Sequence, residues 1–170
     1  MMRNQQLYKI LTATSCFLLM LIDAHSTRIF TDWSQGDYIW SVHFLLLLLL
    51  FSAASMPKNF MVILSLVLGS IFDLYYIGVL GIYAVTLPLV VWMMYLLYDT
   101  LYRNFFTYFF GMIILITGFE IVTLGIQYFF QLTGVQFVFF ITRFLAPTLF
   151  INIVLFFILY YPLKKLFPRE

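Results

Sequence analysis

Apolar residues run along this chain almost without a break, and polar residues fall in short intervals between long blocks. A helix that crosses a bilayer needs about 20 mostly apolar residues, with about 17 as the lower limit. The blocks predict six such helices, over residues 8–29, 38–55, 59–75, 78–98, 105–130 and 138–161. Residues 59–98 are long enough for two helices, or for one span and a re-entrant piece. The expected fold is therefore all-α: one transmembrane domain over residues 1–170, with loops too short for a soluble domain and no internal repeat.

Lysine and arginine orient these spans. Arg3 and Lys9 precede the first, Lys58 follows the second, Arg103 lies between the fourth and fifth, and Lys164, Lys165 and Arg169 follow the sixth. Six spans put all of them on one side, which must be cytoplasmic, with both termini. The other side carries Asp32, Asp37 and an uncharged loop around residues 131–136; only Arg28 departs from the bias. Trp33 and Trp40 mark one boundary, and Tyr95, Tyr98, Tyr102, Tyr160 and Tyr161 the other, as amphipathic rings prefer the headgroup zone. The run 10–22 after Arg3 and Lys9 resembles a secretory signal. The following Asp23-Ala24-His25 lacks a small-x-small cleavage site, so a retained first span is expected.

Composition excludes a soluble globule. The chain is 64% hydrophobic and 9% charged, against about 45–50% and about 25% in soluble domains. The lone Cys16 permits no disulfide within the chain. Nine dispersed cations and a net charge of +2 make no phosphate-binding face, so no nucleic acid is expected. There is no G-x-S-x-G, no H-E-x-x-H and no glycine-rich phosphate loop. No catalytic residue, metal or cofactor is expected. His25 and His43 lie on different segments in apolar or interfacial settings, and neither marks a site.

Ionisable groups at membrane depth are costly and are either functional or paired. Asp23, His25 and Arg28 lie on the first helix, Asp73 at the end of the third, Glu120 on the fifth and Arg143 on the sixth, all in the outer half or at its edge. Glu120 lies roughly 15 Å below the outer end of its helix and Arg143 roughly 8 Å below its own. An arginine side chain can bridge that difference. The cluster reads either as a substrate or proton site or as an internal ion pair that fixes helix packing.

Gly111, Gly118 and Gly125 form a small-residue seam on the fifth helix, where another backbone can approach. Glu120, Thr123, Gln127 and Gln131 form a polar stripe nearly opposite. This helix is expected to be the most buried. Thr12, Cys16, Leu19 and Asp23 share a face of the first helix suited to close contact. Pro147 frees the carbonyl of Arg143, four residues earlier, for a neighbour, and Pro88 frees that of Ala84.

The turn between the third and fourth helices holds Gly69, Asp73, Gly78 and Gly81. Gly69 permits close backbone approach, and Gly78 and Gly81 a tight restart. Asp73 either caps the fourth helix, whose dipole favours negative charge, or pairs with Arg143 or Arg28. Here the chain resembles the MreD family of the bacterial rod-shape system. In that family a glycine and an aspartate close one span and a glycine-led segment opens the next; Gly69, Asp73, Gly78 and Gly81 match position by position.

The resemblance implies a non-enzymatic scaffold of cell elongation in the bacterial cytoplasmic membrane. Its implied partners are MreC and, through it, RodA, a class B penicillin-binding protein and MreB, with homodimer formation left open. It also implies a fold similar to the S components of energy-coupling-factor transporters. A substrate-binding S component of a vitamin transporter is the alternative, but such subunits carry an alanine-x-x-x-alanine motif in helix one, where this chain has Ala13 and Phe17. An enzyme or flippase acting on lipid-linked precursors is a third reading.

Overall fold

The structure is a computed structural model that describes residues 2–167, with side chains from residue 6 onward. Arg169 and the side chain of Arg3 lie outside that description. The described residues are helical: α1 (Met2–Trp33), α2 (Phe44–Ser52), α3 (Lys58–Phe72), α4 (Tyr83–Leu96), α5 (Tyr98–Leu101), α6 (Phe105–Phe129), α7 (Phe137–Phe139) and α8 (Ala146–Leu166). A π-helical turn, Asp73–Ile77, prolongs α3, and a second, Phe140–Leu145, joins α7 to α8.

Two of the six expected spans form shorter helices than expected. Four segments are long and apolar enough to cross a membrane: Gln6–Trp33, Lys58–Ile77, Phe105–Phe129 and Phe137–Leu166. They fall close to the first, third, fifth and sixth predicted spans. The fourth span is shortened to the 14 residues of α4 because residues 78–82 form a turn. The second is shortened to the 9 residues of α2, because residues 39–43 are not helical.

The short α2 is the centre of the bundle. It packs on α1, α4, α6 and α8, and every residue from Leu45 to Ser52 is buried. A helix apolar on all sides has to be surrounded, and here protein surrounds the leucine run. The expectation that the glycine-seamed helix is the most buried is corrected accordingly: α6 is the most buried of the long helices, but every residue of α2 after Phe44 is buried. Phe51 of α2 stacks on Tyr108 and meets Phe156 and Tyr160, tying α2 to α6 and α8.

Three tyrosines close the C-terminal end of α2. The hydroxyls of Tyr102, Tyr98 and Tyr95 donate to the carbonyls of Leu50, Ala54 and Met56 at 2.8, 2.8 and 2.7 Å. These carbonyls lie where a helix end leaves acceptors unmet. The tyrosines bring the end of α4 against the α2–α3 turn. Lys9, with its ammonium 5.7 Å from the Phe60 ring centre, brings the start of α1 to the same end.

α3 packs most extensively on α4, and Gly69 sets their approach. A Cβ at Gly69 would stand 2.5 Å from the Tyr83 carbonyl oxygen and 2.9 Å from the Ala84 Cα. Gly78 and Gly81 turn the chain between the two helices with φ of +75° and +119°, where other residues are strained. The seam on α6 is not used alike. A Cβ on Gly111 would strike the Leu101 side chain, whereas one on Gly118 or Gly125 would meet nothing within 4 Å.

Candidate functional site

Residues 39–43 enter the bundle without helical bonding to their own segment, and Ser41, Val42 and His43 are buried. Away from water each of their N–H groups needs a partner. The partners alternate. Ile39, Ser41 and His43 donate to the α8 side: to the Arg143 carbonyl at 2.9 Å, Thr148 Oγ1 at 3.1 Å and Asn152 Oδ1 at 2.9 Å. Trp40, Val42 and Phe44 donate to α1: to Thr31 Oγ1 at 3.4 Å, Thr27 Oγ1 at 3.0 Å and Asp23 Oδ1 at 2.7 Å.

The alternation follows from geometry. Successive N–H groups of an extended chain point to opposite sides, and two extended residues advance about 6.6 Å. Four helical residues advance about 6 Å. Acceptors one helical turn apart on α1 (Asp23, Thr27, Thr31) keep step with every second residue of the non-helical segment, and Thr148 and Asn152 do so on α8. Asn152 also donates to the Ser41 carbonyl at 2.7 Å.

Asp23 ends this ladder and begins α2. Its two oxygens accept from the first two helical N–H groups, Phe44 and Leu45, at 2.7 and 2.8 Å. A carboxylate there satisfies orphan donors and meets the positive helix end. Asp73 serves α4 in the same way: it is fully buried and accepts from Gly81, Tyr83 and Ala84 at 2.8, 2.8 and 3.0 Å. Of the two roles expected for Asp73, the cap is what the structure contains, and neither Arg143 nor Arg28 is its partner.

Glu120 does not pair with Arg143. Its Oε1 lies 2.6 Å from His43 Nε2, with both side chains buried, and Phe119 packs edge-on against the imidazole. Arg143 instead lies over the Tyr38 ring, 4.9 Å from its centre, and donates to the Asp37 carbonyl at 3.2 Å. Arg143 lies in the π-helical turn just before Pro147, and its carbonyl accepts from Ile39. Arg28 makes a loose contact of 4.0 Å with Asp32 on the exposed surface.

The site thus gathers Asp23 and Glu120 but leaves Arg143 at its edge, Asp73 in its own turn and Gln127 half-buried farther along α6. The residues that sequence reasoning passed over are His43, Thr27, Thr31, Thr148 and Asn152. The visible signal was Thr27 and Thr31 at four and eight residues from Asp23, and Asn152 four from Thr148. Thr123 Oγ1 and Trp40 Nε1 are buried without a hydrogen-bond partner. Among the described residues no group of three His, Cys, Asp or Glu side chains is placed to hold a metal ion.

Chemically the arrangement holds backbone: each acceptor of the ladder is spent on an N–H of the chain itself. No curated protein and no solved structure matches the chain. The family model of the rod shape-determining protein MreD matches residues 4–169, nearly the whole length, and the four long apolar helices agree with a membrane protein. The chain belongs to the MreD family.

Proposed function

We propose that the protein is a non-enzymatic, multi-pass scaffold of the bacterial cytoplasmic membrane that binds MreC and through it links RodA, a class B penicillin-binding protein and MreB to control of cell shape. The supporting observation is how the buried polar groups are used. Asp23, Asp73, Asn152 and Thr148 all hold backbone of this chain, which is what a rigid platform needs. The large exposed apolar surface of α1, including Leu11, Leu18, Ile22 and Ile29, offers room for lipid or for a partner's helix.

The proposal includes six passes in one membrane domain, with both termini cytoplasmic. Residues 39–43 supply at most about 16 Å and the nine residues of α2 about 14 Å. Together they match a hydrocarbon core of about 30 Å. The expected likeness to transporter S components belongs to this arrangement. The vitamin-capture reading itself would need a ligand pocket among Asp23, His43 and Glu120, and those groups face the chain's own atoms.

Purification from the native membrane under mild detergent tests the scaffold. MreC-like and RodA-like proteins should accompany it. Recovery of transporter ATPase and coupling subunits alone would overturn the proposal.

A further inference from the structure

The start of α1, the α2–α3 turn and the end of α4 enclose a cleft of about 1190 Å³ at the lysine-rich end of the bundle. Lys9 and Lys58 both line it, with Ser55, Trp92, Tyr95 and Tyr98, and none of the described lining residues is Asp or Glu. The lysine ammonium groups lie over rings: that of Lys58 is 5.6 Å from the Trp92 ring centre, as that of Lys9 is 5.7 Å from the Phe60 ring centre. Such packing places the charged heads while keeping them available.

The backbone adds to this charge. α3 opens at Lys58 with no side-chain cap and no acid in its first turn, so its positive end faces the same region. Acceptors that would offset it are engaged, because Tyr98 and Tyr95 cover the Ala54 and Met56 carbonyls. The ligand that complements this cleft is an anion.

An apolar track leads out of it. Val85, Leu89, Trp92 and Leu96 follow one another at helical spacing on α4, and they are 52%, 39%, 46% and 66% exposed. Trp92 and Leu96 belong to both the track and the cleft. A soluble anion has no use for such a face, whereas an acyl chain does. We propose that the cleft holds the phosphate head group of an anionic membrane lipid, with its acyl chains along the exposed face of α4. This goes beyond the scaffold reading and stands apart from it.

The full chain, delipidated in neutral detergent, tests this by native mass spectrometry with dioleoyl phosphatidylglycerol, dioleoyl phosphatidylcholine and inorganic phosphate. Phosphatidylglycerol should be retained, and phosphatidylcholine, whose choline cancels the charge, at least about tenfold less. Lys9→Gln and Lys58→Gln should each weaken retention about fivefold, and Lys164→Gln, outside the cleft, should not. The two variants should melt like the parent, since both lysines are at the surface end. Equal retention of the two lipids, or no effect of either cleft lysine, overturns the proposal. Competition by inorganic phosphate at equal concentration overturns it in favour of a soluble phosphate compound. Loss of MreC binding would leave these results unchanged, so failure of the scaffold reading is separately visible.

Discussion

His43 Nε2 and Glu120 Oε1 lie 2.6 Å apart inside the bundle, and this contact joins the non-helical stretch before α2 to the middle of α6. Removing either partner strands the other. Glu120→Leu and His43→Leu should each cost about 3 kcal/mol, the range for a broken buried pair. The double variant should recover about 2 kcal/mol of their sum, and Glu120→Gln, which keeps an acceptor, should lose less than Glu120→Leu. Thermal unfolding in detergent reads all four; strict additivity would show that the pair is not coupled.

Asn152 serves three groups: it accepts from the His43 N–H and donates to the Ser41 and Thr148 carbonyls. Asn152→Leu should therefore destabilise by about 3 kcal/mol, since each stranded buried polar group costs about 1–3 kcal/mol. Thr148→Val strands only the Ser41 N–H and should cost about 1–2 kcal/mol. Hydrogen exchange at Ser41 and His43 should quicken in the same variants; unchanged protection there would contradict the ladder.

Close helix packing separates glycines that matter from glycines that do not. Gly69→Ala should lower stability by about 2 kcal/mol, because its methyl would meet backbone of α4. Gly118→Ala and Gly125→Ala face open space and should gain up to about 1 kcal/mol each from helix propensity. Equal losses at all three would refute the assigned packing.

Asp73→Asn tests the cap. The amide keeps one acceptor oxygen but turns an N–H₂ toward donors, so the loss should be about 2 kcal/mol, as expected for bonds to a charged acceptor. A carboxylate bound to an arginine would respond differently: Arg143→Gln should leave the stability contributed by Asp73 intact.

Thr123→Val should stabilise the protein by about 1 kcal/mol, because its hydroxyl is buried with no partner and valine has the same shape. A lower unfolding temperature for this variant would show that the hydroxyl has a use in the folded state.

Much of this fold could be read from residue types, and the part that could not has one cause. The long blocks announced α1, α3, α6 and the α7–α8 run, because continuous apolar length is what lipid selects. Pro147 announced a free carbonyl, and Ile39 takes it. The glycine and aspartate turn was equally visible, since only a few residue types tolerate that backbone. The second span misled because hydropathy weighs side chains and is silent on where backbone N–H groups bond. Residues 39–43 are apolar enough to pass for helix. Their non-helical path is held by Thr27, Thr31, Thr148 and Asn152, which are remote in sequence and ordinary as single residues in a membrane helix. His43 was undervalued for the same reason: its partner, Glu120, is 77 residues away.

The alternating ladder also has a bearing on biosynthesis. The donors of Trp40, Val42 and Phe44 find acceptors on α1, already made when they emerge. Those of Ile39, Ser41 and His43 wait for Arg143, Thr148 and Asn152, more than a hundred residues later. Until the last helix enters, half of the ladder has no partner in hydrocarbon, where such groups do not rest. The hydrogen bonding of the N-terminal third is therefore complete only when the C-terminal helix arrives.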